Sequence, residues 1–306
     1  MMVKYQWRIA LSLILCGYLC SEAASAEPLE TTVAKEGFAA TFYEATDRNR
    51  EVGLIVLGGS EGGKPKHLAS FFSAEGYAVM ALGYFKVTGA SDYLDEIPLE
   101  YFDKPIKWFA DRMGMENRKI VLVGGSKGAE LALLLAARRS DIGGVIAISP
   151  SSVVFQGLPK VYWPPRSSWS FEGKPVPFVP YDASRGVDPK RLLPLYQLSL
   201  THQEFVKQAA IPVEKISGPI LLLSGKEDQM WPAAEMADSI DERLSQHKFP
   251  HPFRNIQYEK AGHTLTEYFM IGGTEEGNRD ARIDSSQKML EFLETDMKAA
   301  GKESLR

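Results

Sequence analysis

Cysteine is nearly absent from this chain, and this limits the chemistry that the protein can use. Among the 306 residues only Cys16 and Cys20 are cysteines, and both precede residue 27. Residues 27–306 can therefore form neither a disulfide nor a cysteine-based metal site or nucleophile. A protein without these aids depends for its stability on its buried core.

A strong charge of either sign is also absent. The chain has 35 basic and 39 acidic residues, which gives a net charge of −4. Proteins that bind nucleic acid usually carry a basic surface, so we predict no nucleic-acid partner. Histidine is scarce, with five residues, and the sequence contains neither an H-E-x-x-H motif nor a cysteine cluster. We therefore predict no metal site and no cofactor.

One long apolar run is present, at the N-terminus. Two basic residues, Lys4 and Arg8, precede an apolar run over residues 9–20, and Ala-Ser-Ala occupies positions 24–26. This order is typical of a secretory signal peptide, and the run is shorter than a membrane-spanning helix requires. We predict cleavage after Ala26 and a periplasmic or secreted protein without stable membrane insertion. An uncleaved anchor is the alternative.

Short apolar runs alternate with helical patterns from residue 27 onwards. The runs have the length of buried strands, and they are Val52–Leu57, Tyr77–Leu82, Ile120–Val123, Val145–Ile148 and Ile220–Leu223, with a last strand over Asn255–Glu259. Such alternation predicts an α/β fold with a mostly parallel sheet and helices on both faces. Because no repeat or linker divides the chain, we predict a single α/β domain over residues 27–306.

The segment of about residues 150–200 interrupts this alternation. It is rich in proline and in aromatic residues, among them Trp163, Trp169 and Phe178. A long segment of this kind after a strand is typical of a cap over an active site. We predict that these three rings shape an apolar substrate pocket; the alternative is that they only pack the cap onto the body of the protein.

A glycine-rich turn lies between the third apolar run and a helical pattern rich in alanine and leucine. Residues 124–128 read Gly-Gly-Ser-Lys-Gly and match G-x-S-x-G, the turn that presents a nucleophilic serine between a strand and a helix. The glycines allow the tight turn, and the strained serine backbone exposes the hydroxyl. We predict Ser126 as a nucleophile. The alternative is a turn that serves a nucleotide or packing only.

A serine hydroxyl needs a base and an acid that orients the base, and in this arrangement the chain order is serine, acid, histidine. Asp228 follows the run Ile220–Leu223 on the turn where the acid is expected, with Glu227 as its rival. His263 is the one histidine that follows both the acid and the last strand. We therefore predict Asp228 as the acid and His263 as the base.

Two backbone N–H groups are expected to bind the oxyanion that forms during the reaction. One belongs to Lys127, the residue after the nucleophile, and the other to the loop after an earlier strand. The glycine-rich residues 58–63 occupy that loop, and we predict Ser60 as the donor, with Glu61 next. The loop does not match the phosphate-binding G-x-x-x-x-G-K-[ST] pattern, which argues against a nucleotide site.

Several stretches together resemble a known family. They are GGSEGG at 58–63, GYAVMALGYF at 76–85, IPLEYF at 97–102, GGSKGAELAL at 124–133, AIPVEKI at 210–216, SGKEDQMWP at 224–232 and AGH at 261–263. The chain resembles the catalytic domain of the acyl-CoA thioester hydrolase and bile-acid-CoA:amino-acid N-acyltransferase family, within the α/β-hydrolase superfamily and near the dienelactone hydrolases. The resemblance implies the roles of Ser126, Asp228 and His263 given above. It also implies a difference, because the amidating members carry cysteine where this chain has Ser126.

The residues and the resemblance together predict an exported serine hydrolase. It would cleave a small-molecule acyl ester or thioester through an acyl-serine intermediate. One alternative is an acyltransferase that moves the acyl group to an amine or alcohol. A second alternative is a non-catalytic binding protein built on a hydrolase scaffold.

Overall fold

The computed structural model describes residues 27–45, 49–114, 119–188 and 191–303. The predicted signal peptide lies outside these residues, and the single-domain organisation stays a prediction. Within the described part of the chain, no helix is both long and apolar enough to span a membrane.

Eight strands form the central sheet. The strands of the described residues are, in chain order, β1 (Leu29–Thr31), β2 (Ala39–Tyr43), β3 (Asn49–Leu57), β4 (Tyr77–Gly83), β5 (Ile97–Pro98), β6 (Ile120–Gly125), β7 (Gly144–Ile148), β8 (Trp169–Phe171), β9 (Lys174–Pro175), β10 (Ile220–Gly225) and β11 (Phe253–Tyr258). Side by side, the sheet runs β1-β2-β4-β3-β6-β7-β10-β11. The pairs β1–β2 and β2–β4 are antiparallel and the others are parallel. The predicted, mostly parallel sheet is confirmed.

Helices cover both faces of this sheet. In chain order they are α1 (Val33–Glu36), α2 (Lys66–Ala74), α3 (Asp103–Met113), α4 (Lys127–Arg138), α5 (Leu193–Ser199), α6 (Gln203–Ala209), α7 (Ala233–Gln246), α8 (Glu275–Glu294) and α9 (Asp296–Glu303). Apolar residues of α3, α4 and α7 pack in one core, and those of α2 and α8 pack in a second core. The sheet separates the two cores.

The apolar runs of the sequence follow from this arrangement. In β3, Ile55 and Leu57 belong to the core under α3 and α4, whereas Leu54 and Val56 belong to the core under α2 and α8. Successive side chains of a strand point to opposite faces, so a strand that is covered on both faces needs apolar residues at every position.

Two helical patterns of the sequence, over residues 99–112 and about 279–299, are each divided in the structure. The first begins as a 3₁₀ turn at Leu99–Phe102, and α3 starts at Asp103. Pro105 then lies in the first turn of α3, where its missing N–H is not required. The second pattern is divided into two helices, α8 and α9. They are separated at Thr295, whose hydroxyl donates to the Glu291 carbonyl at 2.7 Å.

The cap segment contains regular structure that the sequence analysis did not assign. β8 and β9 form a small second sheet with β5, and α5 and α6 follow. Backbone hydrogen bonds join different parts of the segment, for example from the Val179 N–H to the Val154 carbonyl at 2.8 Å. A third apolar cluster, which includes Phe155, Tyr196 and Trp231, lies between these helices and α7.

The contact between β6 and α4 leaves no space for a side chain on Gly124. A Cβ atom there would lie 2.0 Å from the Gly128 carbonyl oxygen, whereas a Cβ on Gly125 would meet nothing within 4 Å. We expect Gly124→Ala to lower the free energy of unfolding by about 3 kcal/mol or more, since the backbone must shift. Gly125→Ala, the matched control, should change it by less than about 1 kcal/mol. Urea unfolding measures both, and equal stabilities of the two variants would contradict the tight packing.

Candidate active site

The predicted site residues lie at one edge of the sheet. β6, β7, β10 and β11 are parallel neighbours, so their carboxyl ends meet at the same edge. Ser126 follows β6, Asp228 follows β10 and His263 follows β11. Open α/β sheets bind their ligands outside the carboxyl ends of the strands.

Ser126 occupies the sharp turn that its sequence context predicts. Its backbone has φ 55° and ψ −124°, in the left-handed region that a residue with a side chain rarely adopts. The helix that begins at the next residue packs closely on β3, because a Cβ on Gly128 would lie 2.2 Å from the Leu57 carbonyl oxygen. Strain of this kind persists only where the surrounding structure enforces it, and it lifts the serine side chain out of the turn.

Asp228 and His263 are in direct contact. The His263 Nδ1 atom lies 2.7 Å from a carboxylate oxygen of Asp228. The other carboxylate oxygen accepts the backbone N–H groups of Met230 at 2.7 Å and Trp231 at 3.2 Å. Both side chains of the pair are buried, whereas the rival acid Glu227 is exposed. The structure thus places Asp228, rather than Glu227, against the histidine ring.

The end of β7 connects the serine turn with the histidine loop. The Ser126 N–H donates to the Ile148 carbonyl at 2.9 Å. The next residue, Ser149, donates its buried hydroxyl to the His263 carbonyl at 2.5 Å. These two bonds attach the backbone of the predicted nucleophile and that of the predicted base to adjacent residues of one strand end.

The histidine loop is also held from the start of α8, by Asn278. The fully buried side chain of Asn278 accepts the Gly262 N–H at 2.9 Å and donates to the Gly272 carbonyl at 3.0 Å. It therefore bridges the two sides of the loop on which His263 lies. Sequence reasoning missed this residue, because an asparagine that bonds only to backbone groups belongs to no motif.

The glycine-rich loop after β3 lies against the serine. A Cβ on Gly59 would be 3.2 Å from the Cβ of Ser126, so the loop backbone passes directly beside the predicted nucleophile. On the other side, the Lys127 N–H belongs to the first turn of α4, where no carbonyl of the same helix can accept it. The structure brings both predicted donor segments to the serine. The assignment of Ser60 and Lys127 as the donors stays a prediction.

The Lys127 side chain forms a buried ion pair that the sequence analysis did not identify. Its ammonium group donates to both carboxylate oxygens of Glu130, at 2.7 and 2.8 Å, and to the Phe155 carbonyl at 3.3 Å. Burial raises the pKa of Glu130 and lowers the pKa of Lys127, while the contact between the two charges opposes both shifts. The signal in the sequence is two opposite charges in the first turn of a helix that is otherwise apolar up to its last residue.

This ion pair attaches the cap to the helix that begins at the serine. Glu130 also accepts the indole N–H of Trp169 at 2.8 Å and the backbone N–H of Phe155 at 3.1 Å. Both partners belong to the cap segment, so this carboxylate joins two points of the cap to the helix that begins at the serine. Hydrogen bonds to a buried charge are among the stronger ones in proteins.

The three rings predicted to shape a substrate pocket lie in different environments. Trp163 is 81% exposed, Trp169 is completely buried and Phe178 packs partly buried against the main core. Since Trp169 has no exposed surface and bonds to Glu130, it packs the cap onto the body rather than bordering an open pocket. A pocket role for Trp163 and Phe178 stays a prediction.

Other aromatic rings lie beside the histidine. The Trp231 ring is 5.7 Å from the His263 ring, in an edge-to-face arrangement. Phe155 and Tyr196 contact Trp231 in turn, with ring centroids 5.9 and 5.5 Å from it. Sequence reasoning missed this cluster of aromatic rings, although Trp231 lies only three residues after the predicted acid.

Across the described residues, no group of three or more His, Cys, Asp or Glu side chains could hold a metal ion.

We expect Lys127→Met to lower the free energy of unfolding by about 3–5 kcal/mol, because it leaves the buried Glu130 carboxylate without its counter-charge. Lys127→Met combined with Glu130→Leu should lose clearly less than the sum of the two single variants, since the charges act as a pair. Lys107→Met is the control; Lys107 pairs with Asp111 on the exposed side of α3, and its loss should cost less than about 1 kcal/mol. Additive losses in urea unfolding would contradict the pairing.

Comparison with curated proteins reveals distant relatives along most of the chain. Mouse acyl-coenzyme A thioesterase 6 is 28% identical over 273 residues, which cover 83% of this chain and 62% of that protein. Mouse acyl-coenzyme A amino acid N-acyltransferase 2 is 27% identical over 214 residues, which cover 70% of this chain and 49% of the relative. The chain thus spans about half to six tenths of the length of these relatives.

Solved structures share the fold. A putative dienelactone hydrolase from Klebsiella pneumoniae has a TM-score of 0.56 at 17% identity, covering 88% of this chain and 98% of its own. A sugar hydrolase from Lactococcus lactis has a TM-score of 0.58 at 16% identity, covering 89% of this chain and 99% of its own. These likenesses show the α/β-hydrolase fold.

The family model described as BAAT / acyl-CoA thioester hydrolase C terminal matches residues 97–271, more than half of the chain. The protein therefore belongs to this family of acyl-CoA thioester hydrolases and BAAT-type acyltransferases, as its sequence motifs predict.

Proposed function

We propose that this protein is an exported serine hydrolase that cleaves an acyl ester or thioester through an acyl-serine intermediate. The observation that carries the proposal is the buried contact between Asp228 and His263 at the same sheet edge as the strained Ser126. A non-catalytic protein on this scaffold would not require a buried carboxylate bonded to a histidine at the same sheet edge as a strained serine.

In the proposed reaction Ser126 is the nucleophile, His263 transfers protons and Asp228 orients His263. Asp228 bonds to Nδ1 of His263, which leaves Nε2 to take the proton from the Ser126 hydroxyl. The serine oxygen attacks the acyl carbonyl, and the N–H groups of Lys127 and Ser60 stabilise the oxyanion. His263 then protonates the departing alcohol or thiol. In the second half-reaction it deprotonates a water molecule that attacks the acyl carbon, and it returns this proton to the departing Ser126 oxygen.

Family membership supports an acyl substrate. The thioesterase and the N-acyltransferase among the relatives are both named for acyl-coenzyme A. The rings of Trp231 and Tyr196 are buried, so they support the histidine loop and do not border an open pocket. An acyl thioester is therefore the first substrate class to test, with simple esters as the second.

Ser126→Ala and His263→Ala should each lower kcat by about 10⁴-fold or more, and the double variant should lose little beyond either single one, because the residues act as a unit. Asp228→Asn should lower kcat less than Ser126→Ala does. A panel of p-nitrophenyl esters and acyl thioesters measures these rates, and circular dichroism checks that the variants fold. A larger loss from Glu227→Gln than from Asp228→Asn would assign the acid to Glu227 instead.

Acyl transfer to an amine is the second candidate, because an N-acyltransferase is among the relatives. We expect hydrolysis to dominate, since an acyl-serine oxygen ester reacts less readily with amines than the thioester formed by a cysteine nucleophile. Incubation with an acyl thioester and excess glycine or taurine, followed by mass spectrometry, separates free acid from N-acyl product. Ser126→Cys should shift the ratio towards the N-acyl product. A predominance of N-acyl product from the unmodified protein would refute the hydrolase assignment.

Export is proposed on the pattern of residues 1–26 alone. If the pattern acts as a signal peptide, the protein recovered from the periplasm or medium should begin at Glu27, the residue after the Ala-Ser-Ala site. N-terminal sequencing of that fraction measures this directly. Recovery of the full-length chain from the membrane fraction would support the uncleaved anchor.

A further inference from the structure

The peptide group that joins Gly58 and Gly59 is held from both sides by side chains. Its carbonyl oxygen accepts the hydroxyl of Tyr84. Its N–H donates to the carboxylate of Glu61 at 2.9 Å. We propose that Tyr84 and Glu61 are positioning residues that orient this peptide group and thereby set the oxyanion hole. The inference rests on the proposed serine-hydrolase function and adds two residues to it.

The orientation of this peptide group matters because the group lies beside the predicted nucleophile. It lies directly before Ser60, the predicted donor, and a Cβ on Gly59 would be 3.2 Å from the Cβ of Ser126. Rotation of this peptide group would turn the Ser60 N–H away from Ser126. Glycine has no side chain to restrict such rotation, so the restriction must come from hydrogen-bond partners.

The carbonyl of Gly58 is buried against α4 and requires a donor. A Cβ on Gly128 would lie 2.6 Å from this oxygen, so the first turn of the helix packs directly behind it. A buried carbonyl without a partner costs free energy, which would favour rotation of the peptide group towards any available donor. The hydroxyl of Tyr84 supplies this hydrogen bond in the observed orientation.

Tyr84 is held rigidly enough for this task. It is a buried residue directly after β4, and its ring contacts Phe85, Phe102 and Trp169 with centroids 5.2, 5.6 and 5.7 Å away. Burial, with smaller contributions from the Glu61 and Glu130 carboxylates, raises the pKa of Tyr84 well above its ordinary value. The phenol therefore keeps its proton and remains a donor at any pH at which the protein is expected to work.

The role of Glu61 follows from the sign of its charge. One carboxylate oxygen accepts the Gly59 N–H, and the other would lie 2.8 Å from a Cβ on Gly59, the same point that is 3.2 Å from the Ser126 Cβ. A negative charge so close to the serine disfavours a developing oxyanion. Glu61 must then assist the reaction as a hydrogen-bond acceptor that fixes the loop, and its charge is not required.

Tyr84→Phe tests the first half of the proposal, because it removes one hydroxyl and keeps the ring. We expect kcat to fall by about 10-fold to 100-fold with KM nearly unchanged, since the oxyanion hole acts in the transition state. The rate of Ser126 phosphonylation by a fluorophosphonate should fall in parallel, because its reacting P–O group uses the same donors.

Tyr101→Phe is the matched control. The hydroxyl of Tyr101 also donates to a backbone carbonyl at the end of β4, that of Gly83 at 2.6 Å, but this bond does not reach the glycine loop. Loss of the Tyr101 hydroxyl should lower the melting temperature about as much as Tyr84→Phe does. It should leave kcat and the phosphonylation rate unchanged. If Tyr84→Phe and Tyr101→Phe lose kcat and phosphonylation rate equally, Tyr84 has only a structural role and the proposal is overturned.

Two substitutions of Glu61 separate its hydrogen bond from its charge. Glu61→Gln keeps an oxygen that can accept the Gly59 N–H, and we expect it to be at least as active as the unmodified protein. Glu61→Ala removes the acceptor and should lower kcat by about 10-fold. If Glu61→Gln loses as much activity as Glu61→Ala, the charge is what matters, and the carboxylate binds a cationic part of the substrate instead of orienting the loop.

The reactivity of the unmodified protein separates a failure of the proposed function from a failure of the positioning role. If it neither hydrolyses the ester and thioester panel nor reacts with the fluorophosphonate, the proposed function fails and the positioning role fails with it. If it is active and Tyr84→Phe and Glu61→Ala retain full kcat, the serine-hydrolase function stands and the positioning role alone is wrong.

Discussion

The close contact between the first turn of α4 and the backbone of β3 and β6 is the constraint on which the site depends. Gly124 and Gly128 allow the main chains to approach to distances at which no side chain fits. This approach forces Ser126 into a left-handed backbone conformation and aligns the N-terminus of α4 with the glycine loop after β3. The position of the serine and of both predicted oxyanion donors thus follows from one packing contact.

Polar groups buried in apolar surroundings then fix orientations that this contact leaves open. The pair Lys127–Glu130 joins the cap to α4, Asp228 orients His263, and Tyr84 bonds to the carbonyl of Gly58. Each has a hydrogen-bond partner, which is the condition under which burial of a polar group is tolerated. Such bonds are directional, so they specify geometry where apolar packing alone would permit several arrangements.

The sequence predicted features that depend on short-range pattern. Strands such as Val52–Leu57 were recognisable because burial on both faces requires apolar residues at every position. Ser126, Asp228 and His263 were recognisable because each follows a strand in a known order. Asn278 and Tyr84 were missed because their partners are backbone groups supplied by distant loops. The difference between Trp163 and Trp169 depends on the path of the cap, and no local pattern encodes that path.

The bridge from Asn278 to the histidine loop has a consequence for the order in which the proposed active site is completed. Asn278 follows His263 in the chain, yet its side chain holds the loop on which the histidine lies. Synthesis proceeds from the N-terminus, and a domain folds as a unit. A chain that ends before the start of α8 therefore contains both Ser126 and His263 but lacks the residue that secures the histidine loop. If the proposed function is correct, such an unfinished chain should be inactive without the need for a separate inhibitor.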